Sequence, residues 1–371
     1  MKFLDYIQVN PTIKLEKDKQ YPFVEMANAD VFAREPKQID IKKYSSGVKF
    51  QRGDTVIARI EPCLQNGKGF FVKNISEGFG STEFLVFRPK DDKVTNEFLY
   101  YFMLTDYIRK SMINSMTGAT GRQRVNKDIF KSLELSLPSV EKQKRIADIL
   151  SAYDDLIENN QKQIKLLEEA AMRLYKEWFV KLRFPGYENS KIVDGVPEGW
   201  RLGRVSELAE FKRGKTITKK NAKDGNVPVV AGGLEPAYFH NVANTVAPVI
   251  TISASGANAG YTRLYNTDIW ASDCSYIDAS YGDKLYFIYT FLKNNKEVID
   301  NLQRGAAQPH VYAKDINALS TYIPESTIME PFCNLVAPLF KKIAVQERLI
   351  SELKQARDKL LPKLMSGEIE V

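Results

Sequence analysis

At 371 residues, 44% hydrophobic and 27% charged, the chain has ordinary globular composition and length for two to three domains, which excludes a disordered or fibrous protein. Its three cysteines, Cys63, Cys274 and Cys333, stand far apart and exclude a disulfide framework or a C-x-x-C zinc cluster; no apolar run reaches the roughly 18 residues of a membrane span, so a cytoplasmic protein with no membrane contact is expected. The net charge of +7, from 53 Lys and Arg against 46 Asp and Glu, suits a polyanionic partner without requiring one.

Residues 1–138 read as a mixed globule. Apolar runs of strand length occur at Thr55–Ile60, Gly69–Val72 and Glu83–Phe87, and a short helix is expected over Asn96–Ser111. Two loops there combine cations with amides: Gln65, Asn66 and Lys68 around Gly67, and Arg122, Gln123 and Arg124 behind Gly118 and Gly121. Amide and guanidinium forks match base edges and cations match phosphates, so these six residues are candidate nucleic-acid contacts, although a solvated loop is the commonest fate of such a run. Pro138 closes the globule, and a segment of helix formers follows over 139–186. The turn-rich stretch ending at Trp200 is a linker.

A second globule spans 187–324, with strands expected at Ala247–Ile252 and Ser275–Ala279 and a helix over Asp283–Asn294. It holds the strongest basic run: Lys212, Arg213, Lys215, Lys219, Lys220 and Lys223 within twelve residues that contain no acid, with Thr216 among them. Arg304, Gln308 and His310 form a loop like that of Arg122–Arg124. The first globule carries 22 Lys and Arg against 17 acids and the second 15 against 14, so binding by the second requires a local basic face. The chain ends in another helical segment over 325–371.

The halves are one plan used twice. At an offset of 186 to 187, Gly118-Ala119-Thr120, Lys127-Asp128-Ile129, Leu133 and Pro138 match Gly305-Ala306-Ala307, Lys314-Asp315-Ile316, Leu319 and Pro324. Both long segments then carry a stripe stepping by four and three: Tyr153, Ile157, Asn160, Ile164, Leu167, Ala171, Leu174 and Trp178 in the first, and Leu339, Ile343, Gln346, Ile350, Leu353, Arg357, Leu360 and Leu364 in the second. Such a stripe is a coiled-coil seam. The expected fold is therefore α+β: two mixed α/β globules and two long helices pairing as an antiparallel coiled coil, with an internal pseudo-two-fold repeat. Asn160 and Gln346 are alike in position, and a buried amide of this kind lowers stability while fixing the register if the two amides meet or share a water.

The motifs Leu137-Pro138 with Glu141, Gln143, Arg145, Ile146 and Leu150, then Pro197-Glu198-Gly199-Trp200, then Leu361-Pro362-Lys363-Leu364-Met365-Ser366-Gly367 give the whole chain a resemblance to the specificity subunit of type I restriction-modification systems. It departs from that pattern at Met1-Lys2-Phe3-Leu4, which lacks the Pro-x-Gly-Trp opening. The resemblance implies two target-recognition domains, each reading half of a bipartite site in double-stranded DNA. It also implies helices that set the spacer and dock two DNA methyltransferase subunits, with restriction/translocase subunits completing the complex. The charged flank of the first helix, Arg145, Asp148, Asp154, Asp155, Glu158, Lys162 and Lys165, is a candidate docking side, although a solvated flank is the ordinary assignment for most of these residues.

No catalytic or metal-binding residue is expected. Asn10-Pro11-Thr12-Ile13 lacks the second proline and aromatic ring of a base-methylating motif, no phosphate-binding G-x-x-x-x-G-K-S/T occurs, and His240 and His310 have no spaced acidic or cysteine partners. S-adenosylmethionine, ATP and Mg then belong to partner subunits, with no cofactor bound by this chain. Two alternatives have the same sequence features: the specificity module of a fused type II system, and a scaffold whose globules bind protein rather than DNA.

Overall fold

The computed structural model describes residues 1–371 except 194 and 306–308. They form two compact units, Met1–Asn160 with Leu349–Val371, and Gln161–Arg348.

The first unit contains strands β1 (Ile7–Val9), β2 (Gln20–Val24), β3 (Asp40–Lys43), β4 (Val48–Gln51), β5 (Thr55–Ala58), β6 (Gly69–Phe71), β7 (Glu77–Gly80) and β8 (Phe84–Pro89). They make two four-stranded sheets, ordered β1-β8-β5-β6 and β3-β2-β7-β4. Every pairing in the first sheet is antiparallel, with Val56 opposite both Val86 and Phe70; β2 and β7 in the second run parallel. β5 and β6 are buried throughout, as continuous apolar runs should be when both faces are covered.

The helical segment expected over Asn96–Ser111 is two helices, α1 (Asn96–Met103) and α2 (Asp106–Asn114). Thr105, extended at ψ 149°, turns its hydroxyl back to the Phe102 carbonyl at 2.7 Å and breaks the run. Thr95 caps α1, and Gln143 fixes the chain ahead of it: its amide accepts from Thr95 N at 3.0 Å and donates to the carbonyls of Lys93 and Pro138 at 2.7 and 3.0 Å. This motif glutamine is thus fully satisfied within the fold.

The second unit contains β9 (Ile192–Val193), β10 (Val196–Pro197), β11 (Arg201–Arg204), β12 (Lys212–Arg213), β13 (Val227–Val230), β14 (Tyr238–His240), β15 (Val249–Ser253), β16 (Thr262–Tyr265), β17 (Trp270–Ala271), β18 (Cys274–Ile277) and β19 (Ser320–Ile323), with α3 over Lys284–Asn294. Among the described residues its two larger sheets reproduce those of the first except that β4 has no counterpart, and β10-β9 and β11-β19 form two further two-stranded sheets. The order β12-β18-β15-β16 matches β1-β8-β5-β6 strand for strand and direction for direction, and β14-β13-β17 matches β3-β2-β7, including the parallel pair. The internal repeat therefore extends through the globules, where sequence likeness is slight.

A central helix, Val140–Tyr175, ends in a π-helical turn at Lys176–Val180, and a C-terminal helix runs over Ser326–Ser366 without a break at Pro331, Pro338 or Pro362. In the first unit Ile146, Ala147 and Leu150 of the former share a core with Leu364 of the latter. In the second, Ala171, Tyr175 and Trp178 share one with Phe332, Phe340 and Ile343. The direction is antiparallel in each: Asp154 meets Arg357 while Leu150 lies with Leu364, and Gln163 meets Gln346 while Trp178 lies 5.7 Å from Phe332.

Burial also determines thiol chemistry. Desolvation pushes the Cys274 thiol up to about 12 and that of Cys333 up to about 11, whereas Cys63 is half-buried. Because the thiolate is the nucleophile, iodoacetamide at pH 8 is expected to alkylate Cys63 alone in the folded chain and all three cysteines in guanidinium. Alkylation of Cys274 at the rate of Cys63 under native conditions would show that the β18 core opens readily.

Candidate nucleic-acid interface

The residues singled out by their chemistry lie mostly along one end of the sheets β1-β8-β5-β6 and β12-β18-β15-β16, and the backbone there is laid out in the same way in both units. Asn10 N, just after edge strand β1, donates to Val86 O at 2.7 Å; Gly214 N, just after edge strand β12, donates to Cys274 O at 2.8 Å. Arg59 N donates to Glu83 O at 2.8 Å and Val125 N to Arg59 O at 2.9 Å. Correspondingly, Ala254 N donates to Asp273 O at 3.2 Å and Val311 N to Ala254 O at 3.0 Å. A hairpin closes the row in each case: Thr117 and Arg124 exchange backbone hydrogen bonds at 3.0 and 2.9 Å, and Arg304 and His310 exchange theirs at 2.9 Å. Gly121 (φ +79°) and Gly305 (φ +97°) supply the left-handed backbone these tight loops need.

In the first unit Glu61 joins two of the candidate loops. Its carboxylate accepts from Gly121 N at 2.9 Å and from the Gln65 amide at 3.0 Å. Glu83 lies beneath the hairpin and takes three bonds from Arg124, at 2.8–3.0 Å. Lys68 turns to the Met26 carbonyl at 3.1 Å, while Asn66 and Arg122 are exposed and Gln123 is half-buried. Gln65, Lys68 and Arg124 are therefore already engaged within the fold, and Arg122 and Asn66 are the residues there most available to a ligand.

In the second unit Lys212 and Arg213 form β12, and the chain then leaves the sheet tethered by its backbone. Lys215 N donates to Ala271 O at 2.9 Å, Lys215 O accepts from the Trp270 indole at 2.7 Å, and Ile217 O accepts from the Tyr238 hydroxyl at 2.5 Å. With the main chain so held, the side chains of Lys212, Arg213, Lys215, Thr216, Lys219 and Lys220 all stand exposed, and among the described residues none makes an ion pair or side-chain hydrogen bond. A fixed backbone carrying unpaired cations is the arrangement that a row of phosphates requires. Arg304 is tied to Asp315 at 2.8 Å, and His310 stacks on Tyr312 with ring centroids 5.9 Å apart. Gln308 lies outside the described residues.

Topology exposes what residue types alone did not. The segment after β1 is the counterpart of the basic run after β12, and it carries Lys14 and Lys17, both exposed and without an ion pair among the described residues. Interleaved acids Glu16 and Asp18 disguised it in the sequence. Arg59, Glu61 and Glu83 were missed as well, since the partners that place them lie 24 to 60 residues away.

On the helices, Ile157, Ile343 and Gln346 are buried, and Tyr153, Asn160, Ile164, Leu167, Leu174, Leu339, Ile350, Leu353 and Leu360 are partly buried; none of these seam residues is exposed. The matching amides pair differently, however. The Gln346 amide donates to Gln163 Oε1 at 2.6 Å, one turn along from Asn160, and Asn160 donates to the Leu156 carbonyl of its own helix at 2.8 Å. The expected docking flank also needs correction. Asp154 is buried against Arg357 and accepts from the Tyr101 hydroxyl at 2.6 Å, while Asp155 and Glu158 bind Arg34, Glu158 through Nε and Nη2 at 2.8 Å each. Burial alone would raise the Asp155 carboxyl, but hydrogen bonds from Arg34 and Lys73 carry it below its ordinary range. Arg145, Asp148, Lys162 and Lys165 remain exposed.

Among the described residues no group of three or more His, Cys, Asp or Glu is placed to hold a metal ion, and no helix is long and apolar enough to cross a membrane.

Comparison with known proteins agrees with this layout. The model of a family described as "Type I restriction modification DNA specificity domain" matches residues 5–169 and again 197–355, once in each half. The "Type I restriction enzyme MjaIX specificity subunit" of Methanocaldococcus jannaschii is 30% identical over 310 residues, covering 76% of this chain and 71% of its own. The "Type I restriction enzyme HindI specificity subunit" of Haemophilus influenzae is 23% identical over 408 residues, covering 86% and 87%. Among solved structures, the "Type-I restriction-modification system S subunit from M. genitalium" superposes with a TM-score of 0.57 at 17% identity, covering 98% of this chain and 95% of that one.

Proposed function

The chain belongs to the type I restriction-modification DNA specificity family, and from that premise we propose that each of its two units reads one half of a bipartite site in double-stranded DNA. The paired helices fix the unread spacer and dock two methyltransferase subunits; methylation, and any ATP-driven cleavage, is performed by partner subunits in the cytoplasm with their own S-adenosylmethionine, ATP and Mg. This chain is then the reader and not the catalyst.

One observation carries the reading: the same sheet end, with the same hairpin and the same edge-strand loop, is built twice. A duplicated face on one chain does what a dimer does with two half-sites. The exposed cations supply sequence-independent grip, and the hairpins with their amides and guanidiniums are placed to discriminate bases.

The test is a binding titration of the chain in complex with its methyltransferase partner, on DNA carrying the host's modified motif and on random DNA. If roughly 6 to 10 phosphates are neutralised, affinity is expected to fall by roughly 10³ to 10⁵ between 50 and 200 mM salt. Affinity that is weak on both DNAs and insensitive to salt would overturn the reading.

A further inference from the structure

Two arginines in the first unit share one carboxylate, and only one of them is satisfied. Glu83 accepts from Arg124 through Nε and Nη2, three contacts at 2.8–3.0 Å that occupy both of its oxygens. Arg59 approaches the same carboxylate, its Nε 3.8 Å from Glu83 Oε2, too far for a hydrogen bond. That Nε is shut off from solvent and has no hydrogen-bond partner. The guanidinium as a whole retains access: the side chain is 25% exposed, against 42% for Arg124.

A buried donor without a partner costs free energy and needs a reason. Here the backbone fixes the residue at the centre of the candidate face. Arg59 N is bonded to Glu83 O, Arg59 O to Val125 N, and the neighbouring Glu61 N to Gln123 O, so Arg59 sits between the 61–68 loop and the 117–124 hairpin. In the second unit the equivalent position is Ala254, and the equivalent acid, Asp273, takes the Ser255 hydroxyl instead. The unsatisfied guanidinium is thus specific to the first unit and is no requirement of the fold.

We propose that Arg59 is a base-reading residue of the first unit and that Glu83 is its positioning residue, with Arg124 occupying the same carboxylate when no DNA is bound. When Arg124 is drawn to a phosphate, Glu83 is released to accept the Arg59 Nε, which orients the remaining guanidinium nitrogens as a fork. A fork of this kind matches O6 and N7 of guanine in the major groove. The inference rests on the DNA-reading role proposed above and adds to it a residue and a base.

The experiment uses the full chain with its methyltransferase partner and a set of duplexes carrying the modified motif with each position of the first half-site changed in turn. Arg59→Ala is expected to weaken binding to the native site ~10- to 100-fold and to abolish discrimination at one guanine. Binding to random DNA and the salt slope should stay unchanged. Arg59→Lys, which keeps the charge without the fork, should lose the same discrimination while folding normally, and Glu83→Gln should blunt it at that same position only. Equal weakening on native and random DNA, with the salt slope reduced by about one, would make Arg59 a phosphate contact and overturn the inference, as would discrimination unaltered in Arg59→Lys. Either result with a sequence-specific wild-type complex leaves the DNA-reading role intact; a wild-type complex with no sequence preference would overturn both.

Discussion

Replacing Lys212, Arg213, Lys215, Lys219 and Lys220 together by alanine is expected to reduce DNA affinity roughly 10²- to 10⁴-fold near physiological salt and to flatten the salt dependence by about one slope unit for each phosphate no longer neutralised. The five side chains are exposed and unpaired among the described residues, and their main chain is tethered to Ala271, Trp270 and Tyr238, so the substitutions remove charge without removing support. Discrimination between sites should change little, since phosphate contacts carry no sequence information directly. Neutralising Lys14 and Lys17, on the corresponding loop of the first unit, should act in the same direction with a smaller effect. If the five-fold variant binds DNA with unaltered affinity and slope, the face lies elsewhere.

The second large effect concerns stability. Asp154 and Arg357 form an ion pair whose side chains are 3% and 6% exposed, with the Tyr101 hydroxyl on the other carboxylate oxygen. Removing Asp154 leaves the buried Arg357 with only the exposed Asp358 carboxylate, bonded through Nε and Nη2 at 3.0 and 2.9 Å, so Asp154→Ala is expected to destabilise the first unit by about 2–4 kcal/mol, whereas Asp154→Leu combined with Arg357→Met should restore most of it. Denaturant unfolding followed by circular dichroism distinguishes the cases. Equal destabilisation in the single and double variants would mean that the site matters for shape and not for charge.

The long helices and their seam were legible because apolar residues stepping by three and four are a local pattern that needs no knowledge of the partner. Which residues meet across the seam was not. In an antiparallel pair every step along one helix changes the opposite residue, so the likeness of Asn160 and Gln346 does not imply contact, and Gln163 takes the place of Asn160. In the sequence Asp154 belongs to an exposed charged flank, because only the fold brings Tyr101 and Arg357 to it, from 53 and 203 residues away.

The buried strands β5, β6 and β8 were found as apolar runs, whereas β3, with the sequence Asp40-Ile41-Lys42-Lys43 and alternating exposure, and β12, two exposed basic residues, were not. Edge strands owe their existence to the neighbour they pair with and so leave little trace in composition. The same holds for the candidate face. Its cations were visible as residue types, but Arg124 and Arg304 had acidic partners that only tertiary structure reveals, while Arg59 gave no signal beside them.

The central claim, two independent readers on one chain, is tested most directly by sequencing modified bases in the host genome with the wild-type gene and with a variant carrying substitutions only at Asn66, Arg122 and Gln123 of the first unit. The wild type should methylate a motif in two parts separated by unread bases, and the variant should alter or relax one part while the other part and the spacer length stay fixed. An undivided motif, or a variant that changes both parts together, would contradict it.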